Sequence, residues 1–356
     1  MDSHLLRDAS EVIANLGDKV QRFDGKRILL TGGAGFLGAH FTHFLLALND
    51  SGRLRKAAQL VLWDNFQRGR PDWLEALRDR RDLLCEQRDI CQPHDPGSVD
   101  MIIHAASIAS PIFYRLHPIA TMDANVTGLR LLLEHCVRQP LESFLFFSTS
   151  EIYGDPDPSS IPTPESYRGN VSCTGPRACY DESKRYGETL CVNFAQVHGV
   201  PVKMVRPFNN YGPGLKITDR RVIPDLFRDV LAGRNLVLLS DGRATRTFCY
   251  ISDAITGYLL ALLSNAQGEP FNIGTEGPEI TMRELAGKAI EASGRPLSVE
   301  FQKSDDPNYL TDNPNRRCPV IEKARRMLGY DPKVTLEEGL ARTYRYYLDH
   351  PDAANA

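Results

Sequence analysis

Short apolar runs alternate with amphipathic helical stretches along the first three quarters of the chain. The apolar runs are predicted strands, at residues 27–31, 59–63, 83–87, 101–106, 144–148, 202–205 and 271–274. Between them, apolar residues recur at helical spacing, for example from Phe36 to Leu48 and in the run that ends at Cys136. This alternation is typical of α/β proteins with a mostly parallel sheet. We therefore predict a doubly wound sheet of about seven strands.

Three glycines, Gly32, Gly35 and Gly38, directly follow the first predicted strand and accompany the start of a helix at Phe36 and Leu37. The order strand, glycine loop, helix is that of Rossmann-type dinucleotide sites. Gly32 permits a tight turn, Gly35 lets the backbone approach a pyrophosphate, and Gly38 lets helix and strand pack closely. The first amides of the helix then meet the phosphates. The pattern predicts a dinucleotide cofactor.

Asp64 and Asn65 end the second predicted strand and favour NAD over NADP, because a carboxylate suits ribose hydroxyls and repels a 2′-phosphate. Arg68 lies close enough in the sequence to weaken that preference slightly. His104, at the end of the fourth strand, is interpreted as a buried core histidine rather than a base. The remaining candidate cofactor contacts follow the third and fourth strands and are Asp89, Ile90, Ala105 and Ser107.

Tyr180 and Lys184 are four residues apart in a predicted helix, so their side chains share one helix face. A phenol has a pKa of about 10, and a base that works near neutrality must lose about three units, or about 4 kcal/mol. A nearby ammonium favours the phenolate. We expect Lys184 to lower the pKa of Tyr180 and to make it a general base.

Thr149, Ser150 and Glu151 follow the fifth predicted strand. Open α/β sheets bind ligands at the carboxyl ends of their strands. These hydroxyls and this carboxylate are therefore candidate catalytic residues. The alternative, a strand-end cap with Glu151 in solvent, ranks second because the Tyr180 helix follows in the expected order.

The composition changes after residue 206, where proline, glycine and arginine become more frequent. Arg221 and Arg246 are candidate ligands of a polyphosphate, whereas Arg220 and Arg243 are better explained as a solvated basic surface. Apolar residues at helical spacing predict a helix over residues 4–16, packed on its own domain or on a partner subunit. The predicted units are an amphipathic helical extension (1–24), a cofactor-binding domain (25–206, its sheet completed by 247–275) and a substrate-binding lobe (207–246 with 276–350).

Bulk composition excludes several classes of protein. A net charge of -3 and a pI near 6.3 argue against a general nucleic-acid binder. The eight cysteines form no C-x-x-C pair, so neither a metal site nor disulfides are expected. No stretch approaches the roughly 20 apolar residues of a membrane-spanning helix, and residues 1–24 lack the features of a signal peptide. We expect a soluble, cytoplasmic protein.

The order of these motifs resembles that of the extended short-chain dehydrogenase/reductase family of nucleotide-sugar enzymes, over about residues 26–348. The similar stretches are the glycine loop, Asp64, residues 148–154, the Tyr180/Lys184 pair, residues 206–213 and residues 246–253. Within the family, residues 169–171, 175–182 and 316–319 are similar to the UDP-glucuronate decarboxylase subgroup, which makes UDP-xylose. Ser110 to Tyr114 also resembles the related decarboxylase of arabinose-lipid biosynthesis.

The resemblance implies NAD as cofactor and a UDP-sugar as substrate. Tyr180, as phenolate, would take the 4-OH proton, Lys184 would hold the nicotinamide ribose, and CO₂ would leave once C4 is a ketone. Thr149 would hydrogen-bond the resulting enolate, and Glu151 would position the C5 proton donor or crowd the carboxylate. The implied substrate contacts are Ser110, Tyr114, Asn209, Arg221, Arg246, Tyr309 and Arg317, with the carboxylate on Arg317.

Several alternatives stay open at this point. A 4,6-dehydratase is disfavoured because dehydration needs an acid and Ser150 is a poor one. A 4-epimerase is disfavoured because epimerisation needs no carboxylate at the position of Glu151. Near the expected sugar site the sequence departs from the pattern of the UDP-glucuronate decarboxylase subgroup. Two alternatives therefore stay open: another nucleotide-linked uronic acid as the substrate, or release of a 4-keto-pentose product together with NADH. A cofactor-binding regulatory protein without turnover is the non-enzymatic alternative. The resemblance further implies a homodimer through the helices near residues 119–137 and 180–198.

Overall fold

A seven-stranded sheet lies at the centre of the computed structural model, which describes residues 1–304, 311 and 313–351. All neighbouring strands of this sheet are parallel. The described strands are β1 Arg27–Thr31, β2 Gln59–Asp64, β3 Leu83–Gln87, β4 Met101–His104, β5 Ser143–Phe147, β6 Val202–Pro207, β7 Asn210–Tyr211, β8 Leu236–Leu238, β9 Thr245–Arg246, β10 Cys249–Tyr250, β11 Pro270–Ile273, β12 Ile280–Thr281, β13 Val299–Phe301 and β14 Arg316–Arg317. The central sheet has the order β11-β6-β5-β4-β1-β2-β3, which confirms the predicted doubly wound fold.

Helices cover both faces of the sheet. The described helices are α1 Ser3–Leu16, α2 Phe36–Asp50, α3 Asp72–Glu75, α4 Pro111–Leu116, α5 Pro118–Asp123, α6 Leu129–Arg138, α7 Ala178–His198, α8 Val222–Leu231, α9 Ile251–Leu262, α10 Met282–Ser293, α11 Glu322–Leu328 and α12 Leu336–Asp349. Successive residues of β1 point to opposite faces, so Ile28 and Leu30 join one core and Leu29 the other. Among the described residues, no helix is both long enough and apolar enough to cross a membrane.

Helix α1 packs on α2 and α9 of its own chain. Its buried face is formed mainly by the apolar residues that the sequence pattern indicated, and it also contains Asp8. Of the two predicted possibilities, this face of α1 therefore packs on its own domain and not on a partner subunit. α1 forms part of the layer that covers one side of the sheet.

Two short sheets position the lobe above the strand ends. In the sheet β12-β9-β14, Arg317 is the register partner of Arg246, so two predicted substrate residues are neighbours across strands. In the other sheet, β10 pairs with β7, directly after Asn209. Helix α10 begins at a capping box, in which Thr281 and Glu284 exchange hydrogen bonds.

Candidate active site

The carboxyl ends of the central strands open into a cleft of about 1880 Å³. The glycine loop forms one end of its lining, and residues of the lobe form the other. The β5 end and the first turns of α7 line the cleft between them. The sequence elements predicted to carry the chemistry therefore meet in one cavity.

The glycine loop has the geometry that a pyrophosphate requires. Gly32 has φ +72°, and a Cβ there would lie 2.7 Å from the backbone of Ala106. A Cβ on Gly38 would lie 2.3 Å from the carbonyl oxygen of Gly33. The first helical amides, at Phe36 and Leu37, have no earlier turn of helix to donate to, so they remain for an anion. This cradle fits the phosphates of a dinucleotide.

Asp64 ties the glycine loop to the loop that follows β2. Its Oδ2 accepts from the Ala34 amide (3.0 Å) and its Oδ1 from the Phe66 amide (2.8 Å). Arg68 does not pair with Asp64, because its guanidinium binds Asp219 (2.7 Å) and lies 4.4 Å from the Phe113 ring centroid. The arginine that weakened the preference for NAD is thus already engaged.

The other predicted cofactor residues line the same end of the cleft. Asn65, Asp89, Ile90, Ala105 and Ser107 all belong to its wall. His104 instead lies beneath the wall as expected, 1% exposed and hydrogen-bonded to Thr31 (2.8 Å). Burial lowers the pKa of His104 to about 3, so the imidazole is neutral.

Tyr180 and Lys184 share the buried face of α7, as predicted, but the expectation that Lys184 lowers the pKa of Tyr180 is wrong. Burial raises the pKa of Tyr180 to about 12, although a hydrogen bond with Thr149 opposes the change. Lys184 Nζ lies 6.0 Å from the Tyr180 ring centroid and donates to the Phe147 carbonyl oxygen (2.6 Å). Burial also lowers the pKa of Lys184 to about 7. The ammonium is therefore too weakly favoured to hold Tyr180 as phenolate.

Thr149, Ser150 and Glu151 lie where β5 turns into a short 3-10 helix. The Thr149 hydroxyl accepts from the Glu151 amide (3.2 Å), and Ser150 is buried. Glu151 is not solvated, since its side chain is only 18% exposed. The alternative of a solvated strand-end cap therefore fails for Glu151.

Glu151 is bound by two arginines, one of which the sequence analysis missed. Its Oε2 accepts from Arg317 Nη2 (2.6 Å) and from Arg177 Nη2. Burial alone would raise the pKa of Glu151, but these guanidiniums outweigh it and hold the pKa below its ordinary value. Asp181 flanks Arg177 at 3.5 Å, and burial together with the Glu151 charge raises the pKa of Asp181 to about 7. Arg177 stands three residues before Tyr180, but only the fold brings it to Glu151.

The predicted nucleotide contacts line the cleft with part of their hydrogen-bonding capacity already used. Arg221 Nε lies 2.9 Å from Asp219 Oδ2. Arg246 donates to the 313–315 segment and to its own strand, with Pro314 O at 2.5 Å and Asn313 Oδ1 at 3.1 Å. Burial, and then the charge of Arg317, lowers the pKa of Arg246 to about 9. Asn209 has φ +38° and donates to the backbone of the segment before β10.

Two expected substrate contacts, Ser110 and Tyr114, line the cleft but are largely buried. The Ser110 hydroxyl donates to the Asp219 carbonyl oxygen (2.9 Å), and the residue is 2% exposed. Tyr114 is 1% exposed and stacks on Tyr180, with ring centroids 5.0 Å apart. Both residues therefore belong to the wall of the cleft, and their contact with a substrate stays a prediction. Tyr309, the third expected contact, lies outside the described residues.

Comparison with known proteins agrees with this geometry. Residues 28–274 match the NAD dependent epimerase/dehydratase family. The chain belongs to this family. Its cofactor is accordingly NAD, in keeping with the cradle at Gly32 and Gly38.

Members of this epimerase/dehydratase family with established names resemble the chain over most of its length. UDP-glucuronic acid decarboxylase 5 of Arabidopsis thaliana is 38% identical over 314 residues, which cover 88% of this chain and 87% of the relative. A dTDP-glucose 4,6-dehydratase of Streptomyces venezuelae, solved with NAD, has a TM-score of 0.78 at 28% identity and covers 92% and 98% of the two chains. The UDP-glucuronic acid 4-epimerase of Bacillus cereus, solved with UDP-glucuronic acid and NAD, has a TM-score of 0.76 at 26% identity and covers 91% and 99%.

Proposed function

We propose that this protein is an NAD-dependent decarboxylase of a nucleotide-linked uronic acid, with UDP-glucuronate as substrate and UDP-xylose as product. The observation that carries the proposal is the pair Arg177 and Arg317 on Glu151, beside Tyr180. Arg246 adds a third guanidinium next to Arg317, so three guanidiniums face two carboxyl groups, Glu151 and Asp181, and burial raises the pKa of Asp181 to about 7. Such a surplus favours an anion on the sugar. Sequence similarity to UDP-glucuronic acid decarboxylases supports the same substrate.

The chemistry begins with oxidation at C4. Tyr180 takes the proton of the 4-hydroxyl group, with Thr149 in hydrogen-bond contact with the phenol. When bound, NAD would supply the hydride acceptor for C4 oxidation and the hydride donor for the later reduction, and the positive charge of its nicotinamide ring would favour the Tyr180 phenolate. Gly32, Gly38 and Asp64 would hold this cofactor, together with Lys184 on the ribose.

Decarboxylation follows because the C4 ketone is β to the carboxylate. The C5–C6 bond breaks, CO₂ leaves, and the electron pair moves to O4 as an enolate. Thr149 and the protonated Tyr180 would hydrogen-bond that oxygen, as in an oxyanion hole. C5 takes up one proton before C4 is reduced again, so each turnover consumes one proton overall. Glu151 would position that proton donor.

Arg177 and Arg317 would bind the substrate carboxylate in competition with Glu151. One oxygen of Glu151 accepts from both guanidiniums. A guanidinium has several N–H donors, which bind carboxylates in pairs. Arg177 and Arg317 can therefore each donate to a second carboxylate. Asn209 and Arg221 would hold the diphosphate.

The finer organisation is also part of this proposal. Residues 25–206 with 247–275 would form the cofactor-binding domain, and residues 207–246 with 276–350 the nucleotide-sugar lobe, to which residues 1–24 add a helical extension. We infer a cytoplasmic location from the eight cysteines, which are all unpaired. A homodimer through α5 to α7 is the inferred assembly.

The proposal is tested by incubation with UDP-glucuronate and NAD. We expect release of CO₂, a product with two protons on C5 by NMR, and little free NADH by absorbance. Tyr180→Phe should lower turnover by 10²- to 10⁴-fold, whereas Tyr186→Phe, on the exposed side of the same helix, should not. One C5 proton without CO₂ would indicate a 4-epimerase, and CO₂ with stoichiometric NADH a 4-keto-pentose producer. Absence of turnover on every nucleotide sugar would favour a regulatory protein.

A further inference from the structure

Asp219 joins the two sides of the cleft by binding one arginine from each. Its Oδ1 lies 2.7 Å from Nη1 of Arg68 and its Oδ2 lies 2.9 Å from Nε of Arg221. Arg68 belongs to the loop after Asp64, on the cofactor side, whereas Arg221 directly precedes α8, on the side assigned to the diphosphate. The Asp219 side chain is only 5% exposed. A carboxylate with so little solvent depends on a neighbouring cation.

The loop that carries Arg68 is held at further points. Lys216 Nζ donates to the Arg68 carbonyl oxygen (3.2 Å), and the Arg68 guanidinium lies over the Phe113 ring. Ser110 donates to the Asp219 backbone (2.9 Å). Three segments, from the cofactor side, from the β4–α4 connection and from the lobe, thus meet at Asp219, two of them at its carboxylate and one at its backbone.

We propose that Asp219 is a positioning residue that couples binding of the nucleotide sugar to binding of the cofactor by exchanging its arginine partners. A diphosphate attracts the Arg221 guanidinium, because phosphate oxygens are strong acceptors for arginine. Asp219 then depends more strongly on Arg68, whose ion pair holds the loop after Asp64 in place. Affinity for NAD rises, and by thermodynamic reciprocity NAD raises affinity for the nucleotide by the same factor.

This bridge would retain the reduced cofactor while a nucleotide-sugar intermediate is bound. The point rests on the proposed function, which assigns Arg221 to the diphosphate and the reaction to C4. Loss of the reduced cofactor before C4 is reduced again would leave one 4-keto-pentose nucleotide, one CO₂ and one NADH per substrate. The bridge favours UDP-xylose over that outcome.

Titration of NAD with and without saturating UDP tests the coupling without any turnover. The two tryptophans of the chain, Trp63 and Trp73, both line the cleft, so their fluorescence can report cofactor binding, with calorimetry as a second readout. We expect UDP to lower the Kd for NAD about 10-fold in the wild type, within the usual range for coupled sites. In Arg68→Ala and in Asp219→Asn that ratio should fall to within about two-fold of 1.

Arg70→Ala is the matched control. Arg70 lies in the same loop but pairs with Glu75 and lies 4.9 Å from the Phe66 ring centroid, so it makes no contact with the bridge. This variant should keep the wild-type ratio. Arg68 is 44% exposed, so Arg68→Ala is expected to fold even if the more buried Asp219→Asn does not.

The outcomes separate the bridge from the proposed reaction. A wild-type protein that decarboxylates UDP-glucuronate but binds NAD and UDP independently would overturn the bridge alone. Retention of the wild-type ratio by Arg68→Ala would overturn it too. Coupled binding that Arg68→Ala abolishes, in a protein that does not decarboxylate UDP-glucuronate, would support the bridge and refute the proposed reaction. With turnover, Arg68→Ala should also accumulate free NADH together with the 4-keto product.

Discussion

Burial favours the uncharged form of both Tyr180 and Lys184. It raises the pKa of the phenol to about 12 and lowers that of the ammonium to about 7. At neutral pH burial therefore favours a neutral phenol at Tyr180 and disfavours the charged form of Lys184. The positively charged nicotinamide ring of bound NAD would shift the phenol toward its reactive form. Activation of Tyr180 is thus linked to cofactor binding.

Arg317 offers a direct test of how the substrate carboxylate is bound. We expect Arg317→Met to lower kcat/KM for UDP-glucuronate by at least about 100-fold, or about 3 kcal/mol, because a buried carboxylate loses a charged donor. Oxidation of UDP-xylose at C4, followed as NADH absorbance, involves no carboxylate and should change less than about five-fold.

Arg316→Met is the matched control for Arg317. Arg316 is the adjacent residue of β14, but its side chain pairs with Glu279 (2.7 Å) and is 42% exposed. It should leave both reactions close to the wild type. Equal losses of decarboxylation and of UDP-xylose oxidation in Arg317→Met would show that Arg317 does not act through the carboxylate.

Sequence reasoning located the residues on the helix and at the strand ends, but not the partners that come from elsewhere. Tyr180 and Lys184 follow from helical spacing alone. Arg177 was missed because its meaning depends on Glu151, which is far away in the chain and is brought close only by the fold. The wrong pKa expectation for Tyr180 has a similar cause, since spacing reveals proximity but not loss of solvent.

At the scale of elements, α1 contains a carboxyl group that should make its attachment sensitive to pH. Asp8 is 1% exposed and accepts from the Tyr250 hydroxyl (3.0 Å). Burial raises the pKa of Asp8 to about 7, and Glu11 adds to the effect. Arg342 lies 3.8 Å from Asp8. It makes shorter contacts with Glu11 (2.7 Å) and with Glu338 on its own helix (2.5 Å). Its charge, and that of Arg7 further off, therefore compensates Asp8 only in part.

The sign of the pH dependence follows from proton binding. Between about pH 4 and pH 7 the folded protein keeps a proton on Asp8 that the unfolded chain has released, so stability falls as the pH rises through this window. Asp8→Asn removes this dependence while it keeps an acceptor for Tyr250. From pH 5 to pH 8 the free energy of unfolding of the wild type should fall by about 2 kcal/mol relative to that of Asp8→Asn.

Thermal unfolding at several pH values measures the effect. Asp18→Asn, at an exposed position of the 3-10 turn after α1, is the control and should follow the wild type. If the Tm values of the wild type and Asp8→Asn change in parallel from pH 5 to pH 8, Asp8 does not titrate in this range.

The periodic elements were predictable and the irregular lobe was not. Runs such as Ile28 to Leu30 are buried on both faces, which makes a parallel strand readable from its sequence. Strands β9 and β14 have only two residues each, too few for any period, yet they place Arg246 beside Arg317. Their pairing depends on long-range contacts that local patterns do not contain.

At the scale of the whole molecule, the outer surface of α4, α5 and α7 is unusually apolar for a solvent-exposed face. Leu116 and Ile119 are each 65% exposed, Tyr186 is 49% exposed and Met122 is 36% exposed. Helices α5 and α7 pack against each other, so these side chains lie on neighbouring elements. Contiguous exposed apolar surface marks interaction sites, and a homodimer would bury the same patch on both subunits.

Ile119→Glu combined with Tyr186→Glu should therefore convert a dimer into a folded monomer. Two charges buried in a dimer interface without partners destabilise it by several kcal/mol, whereas in the monomer both positions face water and the fold is unaffected. Light scattering coupled to gel filtration gives the mass of each species, and far-UV circular dichroism checks the fold. Leu348→Glu, a 47% exposed leucine on α12, is the control and should stay dimeric. A monomeric wild type at micromolar concentration, or a double variant that remains dimeric, would place the interface elsewhere or remove it.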